Sequence, residues 1–253
     1  IQLGMSNRAH AKILGMDLAA VHAAADVVAV LGFADVLGAN DASPHAGDEP
    51  LFAETEVLTQ GQTLFAVAAR TRKAARLARK LAKVEYEDLP AALTIAQARE
   101  AGLIIEPPVK LERGGPDAVI ATAPHRLSGK FELGGQEHFY LEGQIALAVP
   151  GEGDEMLVYS STQNPTEVQM IVARVLGVPA HAVTIEVRRM GGGFGGKETQ
   201  PAQVAAIAAL VARKTGRAAK LRLDRDDDMP STGKRHDFEF EFDVGFDDDG
   251  RIL

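Results

Sequence analysis

The sequence contains no cysteine and no tryptophan, and aromatic residues make up only 5% of its 253 residues. Without cysteine the chain forms no disulfide, no thiolate zinc site and no iron–sulfur cluster on its own thiolates. Any redox chemistry would therefore require a cofactor held by other groups, with electrons passing to another domain or chain. The core must consist mainly of Ala, Val, Leu and Ile.

The sequence also lacks an excess of positive charge and any long apolar run. Its formal net charge is −8, and this acidic balance disfavours broad contact with nucleic acid or with an anionic membrane. No apolar stretch approaches the roughly 20 residues that cross a bilayer, and the first ten residues do not form a signal peptide. We therefore expect a cytoplasmic protein with neither nucleic acid nor a membrane as a partner.

What is present is a globular composition, with 46% hydrophobic and 25% charged residues. Short apolar strands alternate with helical segments, which predicts an α+β fold. Residues 106–116 are rich in proline and glycine and predict a linker, which divides the chain into domains of residues 1–110 and 111–253. Because the chain opens without methionine and stops at Leu253 inside a strand-like pattern, we expect it to be a fragment of a longer protein.

Local patterns predict the individual elements. Apolar periodicity predicts helices over residues 71–83, 166–176 and 201–214, the first with a solvated basic face and the second capped by Asn164. Alternating apolar and charged residues predict a strand over residues 237–246, with its phenylalanines on one face. Further strands are predicted at residues 26–31, 63–68, 84–87, 127–133, 145–149, 156–160, 182–187 and 219–223, and acidic turns at residues 226–228 and 247–249.

The most informative segment is rich in glycine and has the sequence MGGGFGGKET at residues 190–199. Its glycines allow the backbone to approach a ligand closely and to direct several N–H groups at it. The helix that is predicted to follow adds a partly positive N-terminus suited to an anion. The segment therefore predicts a loop that binds a cofactor or a phosphate, although a strand-to-helix connection without a ligand can have the same pattern.

Two nucleotide-binding patterns match this loop imperfectly. Gly196 and Lys197 have the spacing of a P-loop, but Glu198 stands where a serine or threonine would hold magnesium, and a carboxylate there would repel phosphate. Three of the glycines also have the spacing of a dinucleotide fold. However, Pro201 indicates that the helix begins only after the motif, whereas in that fold it begins within the motif. We therefore disfavour both interpretations.

Several segments in order along the chain carry a resemblance to a known family. They are NRAHAKI at residues 7–13, VEYEDLP at 84–90, GGQEHFYLE at 134–142, STQNP at 161–165 and the glycine loop itself. Together they resemble the molybdenum hydroxylases, and among these the molybdopterin-binding subunit of the xanthine dehydrogenases. Several motifs in register are far more specific than one glycine pattern. The resemblance implies a hammerhead-like α/β domain followed by the first part of a molybdopterin-binding α+β domain.

The resemblance implies a role for individual residues beside the molybdenum cofactor. On this basis Gln136 lies beside the molybdenum centre, where its neutral amide donates to oxygen ligands of the metal. Phe194 and Gly195 present their backbone to the cofactor, and Gly192 and Gly193 allow the close approach. Gln136 and Phe194 are thus expected to be neighbours of the molybdenum and not its direct ligands.

The resemblance also implies a substrate and an electron path. Glu198 stands where the xanthine dehydrogenases have a glutamate that hydrogen-bonds the purine ring, whereas aldehyde oxidases usually have an apolar residue there. The parent enzyme would accordingly oxidise hypoxanthine and xanthine to urate. Its electrons would pass through iron–sulfur clusters and FAD, held on partner domains or a partner subunit, to NAD.

The resemblance assigns no catalytic residue within the chain. The general base is expected beyond Leu253, together with most of the pterin contacts, so the chain alone is expected to be inactive. The remainder of the molybdopterin subunit and an iron–sulfur and FAD subunit are therefore its expected partners, in an enzyme that is oligomeric when complete.

Three other functions remain open at this point. The parent could be an aldehyde oxidoreductase or another hydroxylase of purines or N-heterocycles in the same family. A nucleotide-binding module would use the glycine loop for phosphate and would bind ATP or NAD saturably. A non-catalytic assembly domain would bind no small molecule and would form a stable complex with an iron–sulfur partner.

Overall fold

The computed structural model describes residues 1–45 and 47–253. These residues form two compact units. The first contains Ile1–Pro90 and His138–Gly233, and the second contains Ala91–Glu137 and Lys234–Leu253. The first unit therefore combines two segments that are far apart in the sequence, and the helices and strands confirm the α+β class. The domain boundary near residue 110 stays a prediction.

In the N-terminal segment, short strands alternate with short helices. Several of the strands contain β-branched or aromatic residues, which favour extended backbone. In chain order these elements are β1 (Gln2–Met5), β2 (Ala11–Asp17), α1 (Ala19–His22), β3 (Val27–Leu31), β4 (Glu56–Val57), β5 (Thr63–Ala69), α2 (Arg72–Ala78) and β6 (Lys83–Asp88).

The rest of the chain contains longer helices and the strands that flank them. The two longest helices begin with proline at their first position, where the missing N–H costs no hydrogen bond. In chain order these elements are α3 (Ile95–Glu100), α4 (Pro116–Thr122), β7 (His125–Leu133), β8 (Ile145–Pro150), β9 (Met156–Ser160), α5 (Pro165–Leu176), β10 (Val183–Glu186), α6 (Pro201–Thr215), β11 (Ala219–Arg222), α7 (Arg225–Ser231) and β12 (Phe238–Phe246).

Three sheets make up the first unit. Two of them are antiparallel and three-stranded, with the strand orders β1-β5-β3 and β4-β2-β6. The third has the order β10-β9-β8-β11, in which β10 runs parallel to β9 and the other pairs are antiparallel. Helix α6 packs on β8, β9 and β11, and α5 packs on α6 and β10. The glycine loop leaves this sheet at the end of β10.

One hydrophobic core joins the N-terminal segment to the later helices. Leu3, Leu31 and Phe52 belong to the same buried cluster as the side chains of α5, α6 and β8. Helix α6 is apolar on nearly every side and is buried from Pro201 to Ala212 apart from one position. A helix of this kind is stable only inside a core. The N-terminal segment therefore supplies part of the wall that buries α6.

Helix α5 begins and ends at the residues that the sequence predicts. The Oδ1 atom of Asn164 accepts a hydrogen bond of 3.2 Å from the N–H of Glu167, and Gly177 ends the helix with φ +68°. We expect Asn164→Ala to destabilise the start of α5 by about 1 kcal/mol. Native-state hydrogen exchange of the first-turn amides would measure this loss. Thr166→Ala changes an exposed residue in the first turn of α5 and should leave the exchange rates of the same amides unchanged.

The predicted helix at residues 71–83 is wrong in its extent, and one of its basic residues has a buried partner. Helix α2 ends at Ala78, a 3₁₀ turn follows, and β6 begins at Lys83. Arg72 and Arg76 lie on the exposed basic face that was predicted, whereas the side chain of Arg79 is only 20% exposed. Arg72 and Arg76 pair with Asp224, and Arg79 pairs with the buried Asp227. The pattern of one helix cannot reveal these partners, since they lie about 150 residues away in the sequence.

The predicted acidic turn at residues 226–228 is also wrong. These residues lie in the short helix α7, and Asp227 and Asp228 are buried with cationic or hydroxyl partners. An acidic first turn suits the positive end of a helix, which favours this structure. The second acidic run, at residues 247–249, forms the predicted turn, closed by a hydrogen bond from Gly250 N–H to Asp247 O.

The second unit is built on a long hairpin. Strands β7 and β12 pair antiparallel from Phe238 opposite Leu133 to Phe246 opposite His125, so their apolar residues share one face as predicted. Helix α4 contacts β12, while the rings of Phe238, Phe240 and Phe242 remain 42–45% exposed. Residues 103–115 belong to this unit and form no helix or strand, so the predicted linker between two domains stays a prediction.

Within the described residues, no helix is both long and apolar enough to cross a membrane.

Candidate cofactor site around the glycine loop

The glycine loop connects β10 to α6 in the first unit. Helix α6 begins at Pro201, after the last residue of the motif, as the sequence predicts. The loop between them forms turns and bends, with a hydrogen bond from Gly196 N–H to Gly193 O. The dinucleotide pattern requires the helix to open within the motif, so the structure disagrees with that interpretation.

The tip of the loop has left-handed backbone and unpaired N–H groups. Gly192 and Gly195 have φ values of +95° and +91°, and Phe194, which is not a glycine, has φ +56°. In the part of the chain that the structure describes, the N–H groups of Gly192, Gly193 and Phe194 make no hydrogen bond. The Phe194 side chain is 74% exposed. Successive free N–H groups in such a strained turn form a concave site for oxygen atoms or anions.

Gln163 holds the second half of the loop from behind. Its Oε1 atom accepts hydrogen bonds from Gly195 N–H at 3.0 Å and from Lys197 N–H at 3.3 Å. Its own N–H donates to Lys197 O at 2.7 Å, and the hydroxyl of Thr162 donates to the same oxygen at 3.2 Å. The segment STQNP therefore pairs with the glycine loop almost like a short strand.

Glu142 holds the first residue of the loop. Its Oε2 atom accepts a hydrogen bond of 2.6 Å from Gly191 N–H, and its own N–H donates to Gly191 O at 3.2 Å. Partial burial opposes ionisation of this carboxyl. Hydrogen bonds from Ser161 and Gly191, together with the charge of Lys197, outweigh that cost and hold the pKa of Glu142 below its usual value.

Tyr140 and Gln144 form the buried floor under the loop. The Nε2 group of Gln144 donates to Gly196 O and to the Tyr140 hydroxyl, both at 2.9 Å. The Tyr140 hydroxyl donates to Asp228 Oδ1 at 2.8 Å. Burial, together with this carboxylate neighbour, raises the pKa of Tyr140 to about 12, so the phenol remains a donor at physiological pH.

The loop can adopt this path only because its floor positions are glycine. A Cβ atom on Gly196 would lie 2.7 Å from the His138 ring and 2.8 Å from the Tyr140 ring. A Cβ atom on Gly193 would lie 2.5 Å from Gln163 Oε1. Real Cβ atoms essentially never approach other atoms so closely. The glycines therefore bring the loop into contact with the two other segments.

Four of the predicted site residues lie together in the first unit, and Gln136 belongs to the second unit. Gly192, Gly193, Phe194 and Gly195 form the tip of one loop. Gln136 lies in the second unit, is exposed, and forms a bridge with Arg235 through hydrogen bonds of 3.0 and 3.1 Å. The expected approach of Gln136 to Phe194 stays a prediction.

Glu198 is exposed, at the point where the loop turns toward α6. Burial raises the pKa of the neighbouring Glu167, and the charge of Glu198 adds to that shift. Its role toward a substrate stays a prediction.

Several side chains that shape the site were not predicted as site residues. Glu142, Gln163, Tyr140 and Lys197 all lie inside segments that carry the family resemblance, but their roles depend on contacts between segments. The sequence signal that could have identified them is the presence of charged and amide residues in the segments with the family resemblance and in the glycine loop. Within the described residues, no group of three or more His, Asp or Glu side chains is arranged to hold a metal ion.

Comparisons with known families cover nearly the whole chain. The aldehyde oxidase and xanthine dehydrogenase a/b hammerhead domain matches residues 1–90. The molybdopterin cofactor-binding domain matches residues 98–253. The second match includes the glycine loop and both of the segments that contact it.

The curated relatives include enzymes that act on different substrates. Xanthine dehydrogenase/oxidase of Felis catus is 42% identical over 254 residues, which is 100% of this chain and 19% of that protein. Xanthine dehydrogenase of Emericella nidulans is 40% identical over 98% of this chain and 18% of its own length. Aldehyde oxidase 2 of Cavia porcellus is 43% identical over 98% of this chain and 18% of its own length. The chain thus spans about a fifth of the length of these relatives.

Solved structures of the same kind of enzyme have the same fold. Aldehyde oxidoreductase from Desulfovibrio gigas matches with a TM-score of 0.88 and 25% identity, over 100% of this chain and 30% of that one. Quinoline 2-oxidoreductase from Pseudomonas putida 86 matches with a TM-score of 0.85 and 27% identity, over 100% of this chain and 34% of that one. With two consecutive domain matches and more than 40% identity along its length, the chain belongs to the xanthine dehydrogenase and aldehyde oxidase family of molybdopterin-binding oxidoreductases.

Proposed function

We propose that the chain is part of a cytoplasmic molybdenum hydroxylase that oxidises hypoxanthine and xanthine to urate. The observation that carries the proposal is the convergence of two segments on the glycine loop. GGQEHFYLE supplies Tyr140 and Glu142, STQNP supplies Gln163, and both hold the glycine loop so that three N–H groups at its tip remain free. A loop fixed in this way is prepared to bind a ligand rich in oxygen acceptors.

The residues at the loop fit the molybdenum cofactor. Molybdopterin presents oxygen atoms of its metal centre, a pterin ring and a phosphate, all of which accept hydrogen bonds. Among the described residues, the backbone N–H groups of Gly192, Gly193 and Phe194 are unpaired donors, and Gly193 lets the loop lie against Gln163. The loop adds no charge of its own at the tip, so it can contact a metal–oxygen group without repelling it.

In this proposal the chain binds and orients, and the rest of the enzyme completes the reaction. The backbone around Phe194 and Gly195, with the Gln136 amide, would contact the cofactor near the molybdenum. When bound, the cofactor supplies hydroxylation of an electron-poor carbon and accepts two electrons from it. Iron–sulfur clusters and FAD on partner domains or a partner subunit would pass these electrons to NAD. The general base would come from outside this chain.

Glu198 would select purines over aldehydes. A carboxylate accepts hydrogen bonds from ring N–H groups, which an aldehyde lacks. Losing a hydrogen bond to a charged group costs about 2 kcal/mol in transition-state binding, which corresponds to about 30-fold in kcat/KM. We therefore expect Glu198→Ala in the complete protein to lower kcat/KM for xanthine by about 30-fold, with little loss for an aromatic aldehyde.

Steady-state assays of the complete protein would measure this change. Urate formation is followed with xanthine, and acid formation with benzaldehyde, after molybdenum and pterin have been quantified in the purified protein. Glu85→Ala, at an exposed position on β6, serves as the control and should change neither rate. Absence of molybdenum from the wild-type protein would refute the cofactor proposal.

Oxidation of aldehydes is the second candidate, favoured by the 43% identity to aldehyde oxidase 2. A wild-type protein that turns over benzaldehyde but not xanthine would replace the purine assignment with this one. In that case Glu198→Ala would not reduce the activity toward xanthine, because there would be none to reduce.

A further inference from the structure

Lys197 is a fully buried cation directly behind the glycine loop. Its side chain has 0% exposure. Its Nζ atom donates to Ser161 Oγ at 2.8 Å, lies 3.8 Å from Glu142 Oε1 and sits 4.8 Å from the centre of the Tyr140 ring. Burial lowers the pKa of Lys197, while the carboxylates of Glu142 and Asp228 oppose that shift. A lysine is almost never buried to this degree without a charged partner.

The partners of Lys197 connect the two ends of the loop. Lys197 Nζ donates to Ser161 Oγ and forms an ion pair with the Glu142 carboxylate, whose pKa Ser161 also helps to lower. The Glu142 carboxylate in turn accepts a hydrogen bond from the N–H group of Gly191, the first glycine of the loop. The Lys197 ammonium is therefore connected to the first glycine of the loop through its ion pair with Glu142, while Ser161 holds the ammonium from a second segment. We name the side chains of Lys197, Ser161 and Glu142 the loop clamp.

Burying the charge of Lys197 costs free energy, which argues that this charge has a function. Burying an ammonium group carries a desolvation penalty of several kcal/mol, and apolar residues of similar volume often stabilise such a position more. The Tyr140 ring and the methylene groups of Lys197 already fill the space, so packing alone does not require a charge. The feature that only the cation provides is a fixed orientation for the Glu142 carboxylate. That carboxylate is 35% exposed and would otherwise be free to turn toward solvent.

We propose that Lys197, held by Ser161, is a positioning residue that keeps the glycine loop in its ligand-binding shape by holding Glu142 against Gly191 through their ion pair. The Lys197 side chain lies behind the loop, and the free N–H groups of Gly192, Gly193 and Phe194 lie at its tip. The consequence for the cofactor rests on the proposed function. The consequence for the loop itself does not.

Hydrogen exchange in the cofactor-free complete protein tests the effect on the loop. Lys197→Met keeps the length and volume of the side chain and removes the charge. We expect the Gly191 and Gly195 amides to exchange about tenfold faster, while amides in the centre of α6 keep their wild-type rates. Lys220→Met, at an exposed position on β11, is the matched control and should change neither. Loop amides within twofold of wild type in Lys197→Met would overturn the proposal.

A double-mutant cycle separates positioning from simple destabilisation. Glu142→Gln leaves Lys197 without its counter-ion, and Lys197→Met leaves Glu142 without its own. The double variant removes both charges, so we expect its loop amides to exchange more slowly than those of Lys197→Met. Additive effects would contradict the clamp. If Lys197→Met does not fold, Ser161→Ala removes the hydroxyl that holds the Lys197 ammonium beside Glu142 and should also speed exchange, and Ser161→Thr should restore slow exchange.

Molybdenum content provides the second readout. When the variants are produced together with cofactor synthesis, Lys197→Met should retain about a tenth of the wild-type molybdenum, and the double variant should retain more. Faster exchange without any loss of molybdenum would confine the clamp to the loop and reject its link to the cofactor. Wild-type protein without molybdenum would reject the proposed function but would leave the exchange result intact.

Discussion

Gly196→Ala should empty the cofactor site of the complete protein. The added methyl group would lie 2.7 Å from the His138 ring and 2.8 Å from the Tyr140 ring. Tyr140 cannot move aside easily, because it is buried and its hydroxyl is bonded to Asp228 and Gln144. The loop must therefore shift away from its floor. Overpacking of this kind costs about 1–3 kcal/mol.

The shift should also break the contacts that shape the loop tip. Gly196 O accepts from Gln144, and the neighbouring N–H groups of Gly195 and Lys197 donate to Gln163. A displacement of 1 Å would lengthen all of these bonds together. We expect the molybdenum content of Gly196→Ala to fall by more than about tenfold, with a corresponding loss of any hydroxylase activity.

Gly15→Ala provides the comparison for this experiment. Gly15 lies in β2, where an added Cβ would meet nothing within 4 Å and the backbone is not left-handed. The variant should keep its molybdenum and its melting temperature. Molybdenum content is measured on purified protein by elemental analysis, and folding is checked by circular dichroism. A folded Gly196→Ala protein with full molybdenum would show that the loop position does not control the cofactor.

Local sequence patterns were sufficient for the elements that depend on their own residues. The start and end of α5 follow from Asn164, Pro165 and Gly177, each of which acts within one helical turn. The start of α6 at Pro201 follows for the same reason. The alternation of β12 predicted which residues share a face, since the period of a strand is fixed by its geometry.

Long-range charge pairs could not be predicted in this way. The basic residues of α2 and the acidic run that forms α7 both match the pattern of a solvated surface when each is considered alone. Only the fold shows that Arg79 meets Asp227 and that Arg72 meets Asp224. Nothing within one segment indicates which distant segment of opposite charge it contacts.

The candidate site was predicted as a set of segments and not as a set of contacts. The family resemblance selected the segments that contain Tyr140, Glu142 and Gln163. It assigned roles only to residues expected to face the cofactor, and it passed over those behind the loop. For Lys197 the sequence pattern indicated only an imperfect match to a P-loop. Its burial depends on Tyr140 and Ser161, which lie tens of residues away in the sequence.

The family matches divide the chain near residue 90, but the core does not follow that division. Leu3, Leu31 and Phe52 from the hammerhead match pack in one cluster with α5 and α6 from the molybdopterin-binding match. Helix α7 adds a polar connection, because its residue Asp227 pairs with Arg79 and its residue Asp228 accepts from Tyr140. The hammerhead segment is therefore part of the structure that supports the floor of the loop.

We expect Arg79→Met to destabilise the packing of α7 against the hammerhead segment strongly. Arg79 donates to both carboxylate oxygens of Asp227 at 2.9 and 3.0 Å and also to Leu3 O at 3.0 Å. Asp227 is 6% exposed, so the variant leaves a buried carboxylate without its partner. Breaking a buried pair from one side costs about 3–5 kcal/mol. Native-state hydrogen exchange of the complete protein would detect the loss as faster exchange in α2 and α7.

Two further variants distinguish this pair from an ordinary surface contact. Arg76→Met removes a neighbouring ion pair in which the arginine is 51% exposed, and it should cost less than about 1 kcal/mol. Arg79→Met combined with Asp227→Leu removes both buried charges, so it should recover much of the stability that Arg79→Met loses. Equal costs for Arg79→Met and Arg76→Met would mean that Asp227 is reached by water in solution. Helix α7 would then not couple the hammerhead segment to Tyr140.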